Sequence, residues 1–372
     1  MTEGKTRKSH HGCFQCKRRS VKCDEKRPQC FKCETRQESC RYATSGPFLW
    51  AETFTQKQEP IHSQQQKAST LIPFNMPHLR LLLNWTTSTC HSISRNQADS
   101  GVWQNTIPQL ALSCPYLMHG IFAISALHLV LSNGCHKTER HGLLETAESH
   151  QSEAIKMFTK PAEDQIEPSQ HTASFALSSL LIGFAFAFPL SVTTVHQTQF
   201  GSLDELMEVF KLIRKMHNFS TPIMDRIQGS ELGGLLWVEQ SHSNLSESSR
   251  LAIKDLRELV SAVYSPSQGD YCIFVDTIDC LEKLLAELDV TGDMVSCSYR
   301  WIYEVPAEFI DYIQEYNSLA LVILAYYCVV LQRLRTHWWI SSWGERVLDV
   351  IVKTLSPSWQ PSIAWALNAI NC

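Results

Sequence analysis

Residues 12–42 read GCFQCKRRSVKCDEKRPQCFKCETRQESCRY, and the six cysteines in this stretch govern how the rest of the chain is read. Cys13, Cys16, Cys23, Cys30, Cys33 and Cys40 follow the spacing C-x2-C-x6-C-x6-C-x2-C-x6-C, and adding seventeen to the first three positions gives the last three. The stretch is therefore a two-fold repeat of a three-cysteine unit. Thiolates are soft ligands suited to tetrahedral Zn²⁺. One ion needs four of them and each unit supplies three, so the symmetric solution lets Cys13 and Cys30 bridge two Zn²⁺ ions. The first ion then takes Cys13, Cys16, Cys23 and Cys30, and the second takes Cys30, Cys33, Cys40 and Cys13. A segment of about 30 residues has too little apolar area to fold without metal, so losing a ligand is expected to unfold it.

The whole-chain averages conceal this segment. The chain has 372 residues with 33 Lys+Arg, 37 Asp+Glu and a formal charge of −4, and its apolar share of 44% allows a sizeable core. Residues 1–42 hold twelve basic and five acidic side chains, a charge of +7, which leaves −11 on the other 330 residues. A basic head on an acidic body points to a nucleic-acid partner, although charge alone also fits a solvated basic tail. The start MTEGKTRKSHHG lacks the apolar core of a signal peptide, so a cytosolic or nuclear setting with reduced thiols is expected. In that setting clustered cysteines mean metal.

The run quoted above, with Pro28 between its halves, closely resembles the fungal Zn2Cys6 binuclear zinc-cluster transcription factors. The resemblance implies two short helix-loop units around two Zn²⁺ ions, a helix after the second cysteine that enters the major groove of double-stranded DNA, and a nuclear location. A helix over 17–22 puts Arg18 and Lys22 four apart on one face and leaves Val21 to pack inward. Lys17, Arg18 and Lys22 are the expected phosphate contacts. The family's base-reading slots fall on Arg19 and Ser20. Arg19 can pair with guanine O6 and N7, as the CGG-type half-sites common in the family require. Ser20 departs from the usual basic residue and discriminates less between bases. The basic side chains Lys5, Arg7 and Lys8, with Lys17, Arg18 and Arg19, also fit nuclear import.

The organisation expected is a basic arm at 1–12, the cluster domain at 13–42, a linker at 43–73 and a mostly all-α regulatory domain at 74–372. Gly46-Pro47 and QKQEPIHSQQQKAST at 56–70 read as solvated linker, with no sustained heptad for a coiled coil. Either a homodimer forms through the helical body, or the head binds as a monomer. In the body, SLDELMEVFKLIRKM opens on an S-x-x-E capping box at Ser202 and Glu205, and Leu206, Val209, Phe210 and Ile213 form its apolar stripe. A long helix is expected after Pro306, broken near Asn317-Ser318, with others at PYLMHGIFAISALHLVL and ETAESHQSEAIKMF. The uncharged run ASFALSSLLIGFAFAF ends at Pro189 and is short for a membrane span, so it reads as a buried core helix with no membrane partner.

Val102-Trp103, PYLMHGIFAISALHL, SLALVILAYYCVVLQRLRTHWWISSWG, Trp359 and Trp365 resemble the fungal-specific regulatory domain, in the version found in sterol uptake regulators and biosynthetic-cluster regulators. That resemblance implies contacts with the transcription machinery and admits a small-molecule or sterol effector. Trp338, Trp339, Trp343, Trp359 and Trp365 either line such a pocket or fill a helical core. G-x-S-x-G, H-E-x-x-H and the phosphate-binding glycine motifs are missing, and no catalytic residue is expected. Glu139 between His136 and His141 reads as a polar helix start rather than a metal site. Cys90, Cys114, Cys135, Cys272, Cys280, Cys297, Cys328 and Cys372 read as buried, reduced thiols. Three functions remain in view: a regulator of RNA polymerase II transcription specific to a biosynthetic (secondary-metabolite) gene cluster, a sterol- or lipid-sensing regulator, and an enzyme body tethered to DNA.

Overall fold

The structure is a computed structural model that describes residues 13–19, 21–24, 26, 29–38, 40, 75–132, 136–158, 168–193, 201–236, 245–288 and 294–371. The chain divides into two compact units at Thr55 and Gln56, within the stretch read as linker. The arm 1–12 and the linker 43–73 lie outside the described residues.

In the first unit, α1 spans Phe14–Arg18 and α2 spans Phe31–Glu34. The helix expected to reach Lys22 therefore stops at Arg18, and Val21 is 39% exposed rather than packed inward. The repeat explains the early stop. After Arg18 the chain must turn back to bring Cys23 to the other sulfurs, and Val21 closes that turn by donating its N–H to the Cys16 carbonyl at 3.0 Å. Seventeen residues on, Glu38 donates to the Cys33 carbonyl at the same 3.0 Å. Gln37 donates to Glu34 at 3.0 Å and sits at φ 52°, so the second turn is a Schellman closure with glutamine in the left-handed position.

Among the described residues of the second unit there is no strand. Its longer helices are α3 (Met76–Asn84), α4 (Pro115–Leu131), α5 (Lys137–Phe158), α6 (Pro168–Thr193), α7 (Ser202–Ser220), α8 (Glu247–Val263), α9 (Gly269–Leu288), α10 (Met294–Glu304), α11 (Ala307–Gln314), α12 (Ser318–Arg333) and α13 (Trp343–Thr354). α4 packs against α3, α5 and α6, while α7 joins α6 to α10 and α13. At the centre is α12, whose residues from Leu319 to Gln332 are all buried. A helix apolar on every side must be surrounded, and α9, α11 and α13 pack against it.

The break near Asn317 occurs as read. α11 and α12 meet at 104°, and the Asn317 side-chain oxygen accepts from the N–H groups of Leu319 and Ala320. The apolar run lies in α6, where Gln170–Val192 has a mean hydropathy of 2.0 and is mostly buried. α6 continues through Pro189 instead of ending there, and the Phe186 carbonyl accepts the Trp343 indole N–H at 3.0 Å. At α7 the capping box does not form. Gly201 is the N-cap, Ser202 is already helical, and Glu205 turns inward to Arg346 at 3.1 Å. Burial raises the Glu205 carboxyl pKa, and the Arg346 guanidinium opposes the rise. α13 approaches α12 backbone to backbone: a Cβ on Gly344 would stand 2.7 Å from the Cys328 carbonyl oxygen.

Glu139 pairs with Arg80, and His141 lies 3.4 Å from Glu145, so Glu139 and His141 engage different partners. Cys90, Cys114 and Cys328 are buried as expected, but Cys272 is exposed and Cys280 half-buried. Cys135 and Cys372, and the side chain of Cys297, lie outside the described residues.

His78, His119 and His150 meet between α3, α4 and α5, with His119 Nδ1 2.8 Å from His150 Nδ1. Burial first, then the neighbouring His119 and His78, lowers the His150 pKa to about 4. The folded state therefore keeps this imidazole neutral while the unfolded chain takes up a proton below about pH 6.5. Stability is expected to be full above pH 6.5 and to fall by up to about 3 kcal/mol towards pH 4. Melting curves of the wild type and His150→Gln across that interval test this, and the variant should show a flatter dependence.

Candidate metal centre and nucleic-acid interface

The two turns of the first unit aim their cysteines at one point. Cys13, Cys16, Cys30 and Cys33 are fully buried and Cys23 is 2% exposed. Their sulfurs form two groups of four, Cys13–Cys16–Cys23–Cys30 and Cys13–Cys30–Cys33–Cys40, with the sulfurs of each group within 4.8 Å of one another. Cys13 and Cys30 belong to both. The Sγ–Sγ separations are 3.7 Å for Cys13–Cys30, 3.6 Å for Cys13–Cys33 and 3.7 Å for Cys16–Cys30. Four thiolates at about 2.3 Å from a tetrahedral Zn²⁺ stand about 3.8 Å apart, so this spacing fits zinc. All six cysteines are free of disulfides. Burial raises the Cys16 thiol pKa to about 12 and also pushes up Cys33, so metal binding displaces protons from these sulfurs.

Of the side chains read as DNA contacts, Arg18 and Lys22 are exposed. The side chain of Lys17 and all of Ser20 lie outside the described residues. Arg19 is turned back on the cluster with its side chain 22% exposed. It donates to Glu38 at 2.6 Å and approaches the sulfurs of Cys16 at 3.9 Å and Cys33 at 3.6 Å. No spacing rule in the sequence pairs Arg19 with Glu38.

In the body a cavity of about 480 Å³ opens between α6, α7 and α10, walled by Phe175, Met216, Tyr299, Tyr303, Trp103 and Trp339. Two arginines reach it, and both are paired: Arg95 with Asp99 at 2.5 Å, and Arg300 with Glu287 and Glu304. Of the five tryptophans singled out in the sequence, only Trp339 lies on this wall. Trp343 is fully buried, Trp338 donates to Ser92 at 2.9 Å, and Trp365 donates to Ser248 at 3.0 Å. Trp339 is 4% exposed, and its indole N–H has no hydrogen-bond partner among the described residues.

Residues 11–46 match the fungal Zn(2)-Cys(6) binuclear cluster domain, which binds two zinc ions, and residues 80–218 match the fungal specific transcription factor domain. The chain is similar to the Zn(2)-C6 fungal-type transcription factor afumD of Aspergillus fumigatus, 35% identical over 127 residues that make up 33% of each chain. It thus spans about a third of that relative's length in the matched part. A Zn(2)-C6 fungal-type transcription factor of Gibberella zeae is 20% identical over 97% of this chain and 85% of its own length. Sterol uptake control protein 2 of Candida albicans is 33% identical over 22% of this chain and 11% of its own length. The second of these domains and the first two relatives are named for transcription, which favours a transcription factor over an enzyme tethered to DNA.

Because Cys13 and Cys30 serve both sulfur groups, Cys30→Ser is expected to reduce the metal content from two ions to none. Cys23→Ser, which touches one group only, is expected to lose the fold around the first group while the intact second group retains one ion. Native mass spectrometry of freshly purified full-length chain distinguishes the two outcomes.

Proposed function

We propose that this chain, a fungal Zn2Cys6 transcription factor by its two matched domains, is a nuclear, sequence-specific regulator of RNA polymerase II transcription for a biosynthetic (secondary-metabolite) gene cluster. The observation that supports it best is the pair of four-sulfur groups directly beside exposed Arg18 and Lys22, in a head that carries +7. Zinc supplies the structural centre; the chain's own basic side chains supply the affinity. Lys17, Arg18 and Lys22 bind phosphate and carry the salt dependence. Of the two slots that read bases in the resembled family, Ser20 is the one assigned to a base pair here, because Arg19 is turned back on Glu38 and the cluster sulfurs; a CGG-type half-site is the sequence read. Serine discriminates less than a basic residue, so Ser20→Lys should sharpen the preference at one base pair in a randomised-site selection. An unchanged consensus would remove Ser20 from the interface. The helical body serves regulation, homodimer formation and contacts with the transcription machinery. Genome-wide mapping of bound sites, combined with expression after deletion, tests the pathway.

The cavity beside Trp339 favours a second reading, a regulator that responds to a sterol or other lipid. Its walls are mostly apolar and aromatic, with Ser178, Ser179, His217, Ser220 and Gln228 among them; both arginines that reach it are paired, and the buried Trp339 indole N–H has no partner among the described residues. Such a site suits a neutral molecule with a single carbonyl or hydroxyl oxygen. Full-length protein is expected to carry such a molecule through purification, detectable by mass spectrometry of an organic extract. Trp339→Phe, which removes only the N–H donor, should lower its occupancy several-fold.

A further inference from the structure

The family's slot would have Arg19 reach outward to a base, yet here its guanidinium faces the metal centre. Cys16 belongs only to the first sulfur group and Cys33 only to the second. Nη2 of Arg19 lies 3.9 Å from Cys16 Sγ and 3.6 Å from Cys33 Sγ, so one nitrogen touches an unshared ligand of each group. Nη1 is 2.6 Å from Glu38 Oε2, and Nε is shut away from solvent. The carboxylate is itself held in place. Its backbone N–H bonds to Cys33 in the Schellman closure, and its carbonyl accepts from Gln29 at 2.9 Å. Six thiolates around two Zn²⁺ leave a formal charge of about −2 in a buried site, and a guanidinium is the side chain that can neutralise it at two sulfurs and a carboxylate together.

We infer that Arg19 is a positioning residue of the zinc centre, tying an unshared sulfur of each four-cysteine group and held there by Glu38, and is not a base-reading side chain. Partners of this kind orient metal ligands, and losing them typically costs about 10–100-fold in metal affinity. The inference accounts for an asymmetry in the repeat. The position equivalent to Glu38 in the first half is Val21, which is exposed and offers no carboxylate, and the equivalent of Arg19, Arg36, is exposed. One clamp serves both halves.

The inference rests on the zinc cluster and not on the DNA sequence read, so its first measurement involves no DNA. Zinc release from the full-length protein to a chromogenic chelator is followed for wild type, Arg19→Lys and Glu38→Gln. Lysine keeps the charge and can still donate to guanine O6 and N7, but a single ammonium cannot span Glu38 and both sulfurs. Both variants are expected to release zinc about 10-fold faster or more, and randomised-site selection with Arg19→Lys is expected to return the wild-type consensus. Wild-type release rates in both variants would overturn the inference. So would a lost guanine preference in Arg19→Lys, or tighter DNA binding by Glu38→Gln at an unchanged release rate, because each assigns Arg19 to the DNA. Should Arg19→Lys fail to fold, the near-isosteric Glu38→Gln carries the test alone.

Discussion

Two tetrahedral ions must be satisfied by six sulfurs, and this shortage of ligands shapes the whole first unit. Sharing Cys13 and Cys30 forces the two cysteine units face to face, and each short helix must end early enough for the chain to bring back its third cysteine. The helix after Cys13 therefore stops at Arg18, and matching 3.0 Å hydrogen bonds from Val21 and Glu38 close the two turns. The apolar residues of this unit do little of the work: Val21 is 39% exposed and Phe31 64%. The metal centre is the core, as expected for a domain too small to bury one of its own.

The body solves the opposite problem. It has ample apolar surface and must surround a helix, α12, that is apolar on every side. Aromatic contacts fill the surroundings, with Trp301 stacked on Tyr327 at 4.2 Å and Phe210 edge-on to the same ring at 5.6 Å. At one seam no side chain fits, and Gly344 lets α13 rest on the α12 backbone. Close packing here and an unfilled space of about 480 Å³ beside Trp339 occur in the same unit.

Much of this was legible in the sequence, and the failures have specific causes. The cysteine spacing carried the two sulfur groups because metal ligands obey strict geometry. The break at Asn317 was legible because its side chain caps a helix locally. Features decided by distant partners were not. Ser202 and Glu205 fit a capping box, but Arg346, 141 residues away, takes the carboxylate and Gly201 serves as the cap. A proline normally ends a helix, yet α6 runs on through Pro189, well inside the packed body. Five tryptophans looked alike as pocket or core; which one faces a cavity depends on helices that the sequence does not order. Arg19 lay beyond reach for the same reason, since its partner is on the other half of the repeat.

The repeat is also unequal where it matters electrically. The six residues after Cys16, KRRSVK, carry +4, whereas the six after Cys33, ETRQES, carry −1. The sulfur framework has near two-fold symmetry, but its charge does not. A polyanion meets an attractive edge on one side and a faintly repulsive one on the other. Electrostatically the head thus has a front and a back, set by its sequence and not by its sulfur framework.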